Sequence, residues 1–374
     1  MSEATGATPF TGLVDLAASE LGGRVLGASD EFFAEASNLI QPGRGVFIDG
    51  KFTDRGKWMD GWESRRRRAR APDHDWCVVA LGVAGQVIAF DVDTHHFLGN
   101  HPPFASIDGL HAPGATTLAE LAARAPAWSE LLPQAPLRPG SQNLFVAVPH
   151  GPMSHVRLNI FPDGGVARLR VYGRVAASAG DGAADGAAGG AIPGGAIPGG
   201  DAADEAERDT EVRRQVPPGS IDLAAVTGGG LALACSDAFF GPMNNLLMPG
   251  RTGNMGGGWE TRRRRGPGHD WILVRLGVRG VPAVAEIDTA HFKGNYPDRF
   301  ALETIDAPAG ARITDILASD RWTHALPETK LAADARRFFA IGSDVAPAPP
   351  ATHVRLSIFP DGGVSRLRIW GRRA

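Results

Sequence analysis

Apolar residues in this chain come in short runs broken by Gly and Pro, without the three-and-four spacing of long amphipathic helices. Residues 75–83, 85–92, 144–148, 155–161 and 166–172 are rich in Val, Ile, Leu and Phe, which predicts strands. In the last two, apolar positions recur at Val156, Leu158 and Ile160 and at Val166, Leu169 and Val171, on either side of Pro162-Asp163-Gly164-Gly165. Glycines there can take positive φ, so the pattern predicts a hairpin, and Pro360 to Gly363 predicts a second one. Helix is expected only around 117–125 and 313–318, with short helical or irregular entries at 15–18 and 31–34. Ser29-Asp30 and Ser236-Asp237 are placed to cap the turn before a Phe-Phe pair. Many short strands and little helix predict an all-β fold, an antiparallel sandwich of the jelly-roll kind.

The pattern also repeats. Gly61-Trp62-Glu63-Ser64 followed by Arg65, Arg66, Arg67 and Arg68 returns as Gly258-Trp259-Glu260-Thr261 followed by Arg262, Arg263, Arg264 and Arg265. His74-Asp75-Trp76 returns as His269-Asp270-Trp271, 195 positions later, and Asp93-Thr94-His95-His96-Phe97-Leu98-Gly99-Asn100 as Asp288-Thr289-Ala290-His291-Phe292-Lys293-Gly294-Asn295. His155 to Arg174 and His353 to Arg372 differ at four of twenty positions. A tandem duplication follows. The expected division is a frayed N-terminus at 1–12, a first jelly roll at 13–175, an Ala/Gly-rich tether at 176–213 and a second jelly roll at 214–374.

Composition narrows the class. A chain of 374 residues with 43% hydrophobic and 21% charged residues is globular, long enough for two cores. Its net charge of −3 exerts no general pull on nucleic acid or anionic membrane, and no apolar run approaches the roughly 20 residues that span a bilayer. Two cysteines, Cys77 and Cys235, at non-equivalent places argue against a disulfide framework and fit a reducing cytoplasm. The N-terminus does not read as a secretory signal.

The repeated motifs concentrate Arg, Asp, Glu and His. In an extended segment each arginine quartet splits into two pairs facing opposite ways, and a guanidinium fork suits a carboxylate or a ureido carbonyl, although a solvated face explains the same residues. Glu63 and Glu260 stand between Trp and Arg, where a carboxylate pairs with a guanidinium or, if partly desolvated, serves as a base. His74-Asp75 is weak support for a dyad, because neighbours on a strand point apart. Asp93, His95 and His96, and in the second repeat Asp288 and His291, sit where a strand gives way to a loop; the first set, with nearby His101, could hold a divalent cation, but the spacing matches no metal motif. Trp62, Trp76, Trp259 and Trp271 read as core, as do His155 and His353. The repeats differ too: between the Phe-Phe and Gly-Trp-Glu landmarks the first carries about ten extra residues within 46–60, and only the second has Lys293. One site could therefore lie within a single repeat or combine unlike groups from both.

Taken together, the doubled Gly-Trp-Glu-[Ser/Thr]-Arg-Arg-Arg-Arg, His-Asp-Trp, Asp-Thr-x-His-Phe-x-Gly-Asn and Phe-Pro-Asp-Gly-Gly-Val motifs resemble the allantoicase family over residues 13–174 and 218–373. The resemblance implies two jelly rolls similar to galactose-binding and discoidin modules, a homo-oligomer, and hydrolysis of allantoate to (S)-ureidoglycolate and urea in purine breakdown. Allantoate carries one carboxylate and two ureido groups on one carbon. Arg65, Arg66, Arg262, Arg263 and Lys293 are candidates to bind the carboxylate, and Asn100, Asn295 and Asp60 the ureido groups. Glu63, Asp93, His96, Glu260, Asp288 and His291 are candidates to move the proton. A divalent metal is compatible with these residues and not demanded by them. The rival reading is a non-catalytic carbohydrate- or small-ligand-binding jelly roll.

Overall fold

The structure, a computed structural model, describes residues 10, 12–68, 73–124, 128–176, 214–343 and 346–374. The tether expected at 176–213 and the N-terminus expected at 1–12 lie almost wholly outside the described residues. Val14–Ala176 form one compact unit, and the described residues from 214 onward belong to another.

In the first unit twelve strands follow one another: β1 (Val14–Asp15), β2 (Arg24–Ala28), β3 (Phe52–Thr53), β4 (Gly56–Lys57), β5 (Trp62–Glu63), β6 (Asp75–Asp93), β7 (Phe104–Leu110), β8 (Ser129–Pro136), β9 (Leu144–Val146), β10 (Met153–Phe161), β11 (Gly165–Val166) and β12 (Arg168–Val175). Eight of them form one sheet in the order β1-β12-β6-β10-β7-β8, with β2 and β9 also on β6. The 19-residue β6 organises it. Its first half, Asp75 to Ala80, is flanked by β10 and β2, and its second half, Gly85 to Asp93, by β12 and β9. One strand thus serves both layers of the jelly roll, turning between them at an irregularity near Gly85.

This topology corrects two expectations. Residues 75–83 and 85–92 are a single strand, because the glycines between them mark crowding and no turn: a Cβ on Gly82 would lie 2.4 Å from the Leu21 carbonyl oxygen, and one on Gly85 2.5 Å from that of Arg174. Pro162 to Gly165 also do not close a hairpin. β10 and β12 lie on opposite sides of β6 and do not pair; the link carries the chain across, and β11 pairs with β5 instead. Local alternation marks the strands but is silent on their partners.

The second unit repeats the plan with β13 (Ile221–Asp222), β14 (Leu231–Cys235), β15 (Trp259–Glu260), β16 (Asp270–Asp288), β17 (Arg299–Ile305), β18 (Thr323–Lys330), β19 (Arg336–Ala340), β20 (Ala351–Phe359), β21 (Gly363–Val364) and β22 (Arg366–Arg373). Its sheet runs β13-β22-β16-β20-β17-β18, with β14 and β19 on β16. Pro360 to Gly363 likewise make a crossing rather than a hairpin. Each repeat is therefore a jelly-roll sandwich; among the described residues from 14 to 176 and from 221 to 374, helix comes only as single turns and the short Leu118–Ala123 and Ile313–Leu317, the first capped by Thr117.

Trp62 and Trp259 are fully buried, each donating its indole N–H to a backbone carbonyl, of Asp30 at 2.8 Å and Asp237 at 2.9 Å. Such a ring contributes roughly 4–6 kcal/mol of transfer free energy. Trp76 and Trp271 are half-buried against the cores beside the short helices, and His155 and His353 are buried.

Candidate active site

The first repeat's motifs meet because of where the Phe-Pro-Asp-Gly-Gly-Val turn goes. Its β11 lies against β5, with Gly165 opposite Glu63 and Val166 opposite Trp62. Phe97 packs flat on Gly165, where a Cβ would stand 2.0 Å from the ring, so only glycine fits. The Gly165 N–H donates to the Asn100 carbonyl at 2.7 Å, fastening the His-Phe-x-Gly-Asn loop to the turn. Asn100 in turn donates through Nδ2 to Glu63 Oε1 at 2.8 Å. Glu63, Asn100, His95 and His96 thereby line one hollow of ≈ 520 Å³, together with Phe33, Phe47, Lys57, Met59, Leu98, Gly99 and Gly140.

Burial shifts the protonation of Glu63 and of His96. It raises the Glu63 carboxyl above its ordinary range, against the opposing hydrogen bond from Asn100. His96 is left-handed, with φ of 69°, a conformation β-carbon-bearing residues rarely adopt. Its Nε2 lies 3.2 Å from the Gly45 carbonyl, which can only accept, so Nε2 carries the proton. Burial, followed by the charge of His95, lowers its pKa, so the ring is held neutral with Nδ1 as its acceptor. The His95 ring lies 4.0 Å from that of His96, and its Nδ1 is buried without a hydrogen-bond partner among the described residues.

Two carboxylates sit behind this wall. Asp93 is buried beneath the loop; its Oδ1 accepts the His95 N–H at 2.8 Å and its Oδ2 the Arg44 Nε–H at 3.3 Å, which fixes the left-handed turn. Asp60 Oδ2 accepts from the Val46 N–H and from Arg168 Nη2, both at 2.8 Å, tying the two ends of the first-repeat insertion to a buried arginine. Between those ends β3 and β4 form a small hairpin, and the insertion supplies Phe47, Lys57 and Met59 to the hollow. The sequence singles out the insertion, but not these three residues; their signal is that the second repeat has nothing opposite them.

In the second repeat Asn295 donates to Glu260 at 2.6 Å, Asp288 pairs with Arg251 at 2.9 Å, and His291, with φ of 68°, lies 2.9 Å from the Thr252 carbonyl. The short loop there brings the Met255 sulfur 3.8 Å from the Asn295 amide. Buried Ala290 stands in the place of His95, and exposed Lys293 in that of Leu98. Arg366, the counterpart of Arg168, binds the carbonyls of Asn245, Gly250 and Gly257.

The arginine quartets are placed elsewhere. Arg65 holds Asp30 through Nε at 2.7 Å and stacks over Phe32, and Arg262 holds Asp237 at 2.8 Å over Phe239. Arg67 and Arg264 reach inward to the buried Asp75 and Asp270, while Arg66 and Arg263 are exposed. None of them lines the hollow. Asp75, committed to Arg67 and Ser29, makes no dyad with His74, which lies against Phe161. Among the described residues no group of three or more His, Cys, Asp or Glu is placed to hold a metal ion, Asp93, His95, His96 and His101 included.

A family model described as the allantoicase repeat matches residues 14–176 and 221–374. A probable allantoicase of Pseudomonas paraeruginosa is 43% identical over 373 residues, covering 97% of this chain and 97% of its own length. The allantoicase of Dictyostelium discoideum is 40% identical, covering 95% of this chain and 86% of its own. Among solved structures, an allantoicase of Saccharomyces cerevisiae superposes with a TM-score of 0.70 at 34% identity, covering 96% of this chain and 93% of that one.

Proposed function

Because the chain belongs to the allantoicase family, a hydrolase that releases urea from allantoate in purine breakdown, we propose that the first-repeat hollow is where it does so. The observation that carries this is the half-buried Glu63, its carboxyl raised by burial and bonded to Asn100, facing the imidazoles of His95 and His96. Allantoate loses urea by cleavage of one bond between its central carbon and a ureido nitrogen. Protonated Glu63 delivers a proton to that nitrogen as the bond breaks, and the lone pair of the remaining ureido nitrogen forms a C=N bond to the central carbon. Water adds to that carbon and gives its proton back to the Glu63 carboxylate, which regenerates the acid and leaves (S)-ureidoglycolate. Asn100 holds Glu63 and offers its carbonyl oxygen to a ureido N–H; neutral His96 accepts from another through Nδ1.

Asp93 and Asp60 act as positioning residues in this scheme, through the His95–His96 turn and the insertion. Glu260, Asp288, His291, Asn295, Lys293, Arg262 and Arg263 belong to a half that keeps the frame without the insertion, and Arg65 and Arg66 stay outside the hollow. The jelly rolls at 13–175 and 214–374, joined by a tether at 176–213, form part of the same reading. So do a cytoplasmic location, supported by the free Cys77 and Cys235, and a homo-oligomeric state, supported by the family resemblance. No helix among the described residues is long and apolar enough to cross a membrane. The rival binding-module reading is not favoured, since the chain belongs to an enzyme family.

Purified protein incubated with allantoate should release urea, and the rate should fall as pH rises through the raised pKa of Glu63. Running the assay with and without a chelator decides the metal question. A pH profile whose descending limb is unchanged in Glu63→Gln would contradict the assignment of Glu63.

A further inference from the structure

Allantoate presents three polar arms to its site, one negative and two uncharged, and the hollow offers three polar stations. Glu63 with Asn100 combines donor and acceptor as a ureido group requires, and the two imidazoles do the same. The third station is Lys57. It lies on β4 within the first-repeat insertion, and among the described residues lining the hollow it is the one with a permanent positive charge.

Three neighbouring arginines are already paired. Arg44 is paired with Asp93, Arg65 with Asp30 and Arg168 with Asp60. Lys57 forms no ion pair among the described residues; its ammonium rests 4.4 Å from the centroid of Phe47, whose ring lies 5.6 Å from that of His96. A cation held over an aromatic face keeps its outward donors for a ligand. The β3–β4 hairpin that carries it is braced by Lys51 over Trp58 at 3.7 Å and by the Trp58 N–H bonded to the Lys51 carbonyl at 3.0 Å. The second repeat, lacking the insertion, has no counterpart to Lys57.

We propose that Lys57 binds the carboxylate of the substrate and makes the first repeat selective for an anionic diureide. This inference rests on the reading of the hollow as the reaction site, and the test separates the two. Allantoate is titrated calorimetrically into Glu63→Gln protein with and without Lys57→Met, and steady-state constants are measured for Lys57→Met and Lys57→Arg. A lost charge-assisted hydrogen bond predicts a Kd and KM about 10- to 100-fold higher in Lys57→Met, with kcat within about threefold and an unchanged Tm. Lys57→Arg should recover to within about fivefold, and the wild-type loss of affinity at high salt should flatten in Lys57→Met. Unchanged Kd and KM in Lys57→Met, or a Lys57→Arg as impaired as Lys57→Met, overturns the role of Lys57. Wild-type turnover in Glu63→Gln instead overturns the reading of the hollow itself.

Discussion

In the first repeat Glu63 faces a hollow walled by Phe47, Lys57 and Met59; in the second, Glu260 makes the same bond to Asn295, but the loop before it delivers Met255. Arg44 and Trp62 stand 18 positions apart, Arg251 and Trp259 only 8. Beneath that difference the frames coincide: a left-handed histidine bonded to a loop carbonyl, an aspartate–arginine pair, and a phenylalanine pressed on a glycine. Duplication preserved the buried geometry that holds a Glu–Asn pair in place. On the proposed reading, the first copy is set apart as a site by the added wall and by His95 where the second has Ala290.

The hardest blow to the comparison is to erase it. Replacing residues 45–60 by residues 252–257 gives the first repeat the second repeat's loop, and urea release should fall about 10²- to 10³-fold because the reacting groups lose their wall. Circular dichroism should show an intact fold, since Arg168 can bind loop carbonyls as Arg366 does. Retained activity would mean that the insertion is decoration. Next comes Asp60→Ala, which leaves Arg168, whose side chain is 5% exposed, facing an empty partner position. Chemical denaturation should register a loss of about 3 kcal/mol in the first repeat.

A third contrast concerns pH. Asp91 lies buried with Gln142 as its hydrogen-bond partner, and burial, then the charge of Asp93, pushes its pKa up to about 7. In the unfolded chain it ionises near the ordinary ~3.9. The native state thus holds a proton that the unfolded state has released, and stability falls as pH climbs from about 4 to about 7. Asp91→Asn should stabilise by on the order of 2 kcal/mol at pH 8 and by nothing at pH 4. Glu286, the counterpart on β16, is bonded to Arg336 at 2.7 Å and to the Trp370 indole at 2.9 Å, so Glu286→Gln should lower Tm at pH 8. Opposite signs sharpen the comparison; equal signs break it. The smallest effect belongs to exposed Arg66 and Arg263, where substitution by Ala should change kcat/KM less than twofold and stability by under about 0.5 kcal/mol.

Much of this was legible before any coordinates. Repetition announced the duplication and strand-length apolar runs the all-β class; the shared motifs offered candidates from both repeats, of which Glu63, Asn100 and His96 line the hollow. The crossing at Pro162 to Gly165 was not, because alternation records which face a side chain takes and leaves open which strand lies beside it. Nor was the fate of Arg65 and Arg67: a run of four guanidinium groups reads as an anion site until the fold turns Asp30, distant in sequence, onto Arg65 and the nearby Asp75 back onto Arg67. Lys57 escaped for the opposite reason, being an ordinary lysine in a segment with no twin to compare.

The central claim is that turnover belongs to the first repeat. Glu63→Gln and Glu260→Gln, assayed side by side for urea release from saturating allantoate, test it most directly, since the two glutamates share partner and setting. Glu63→Gln should lower kcat about 10²- to 10⁴-fold and Glu260→Gln less than threefold. Equal losses in the two variants, or a greater loss in Glu260→Gln, would contradict it.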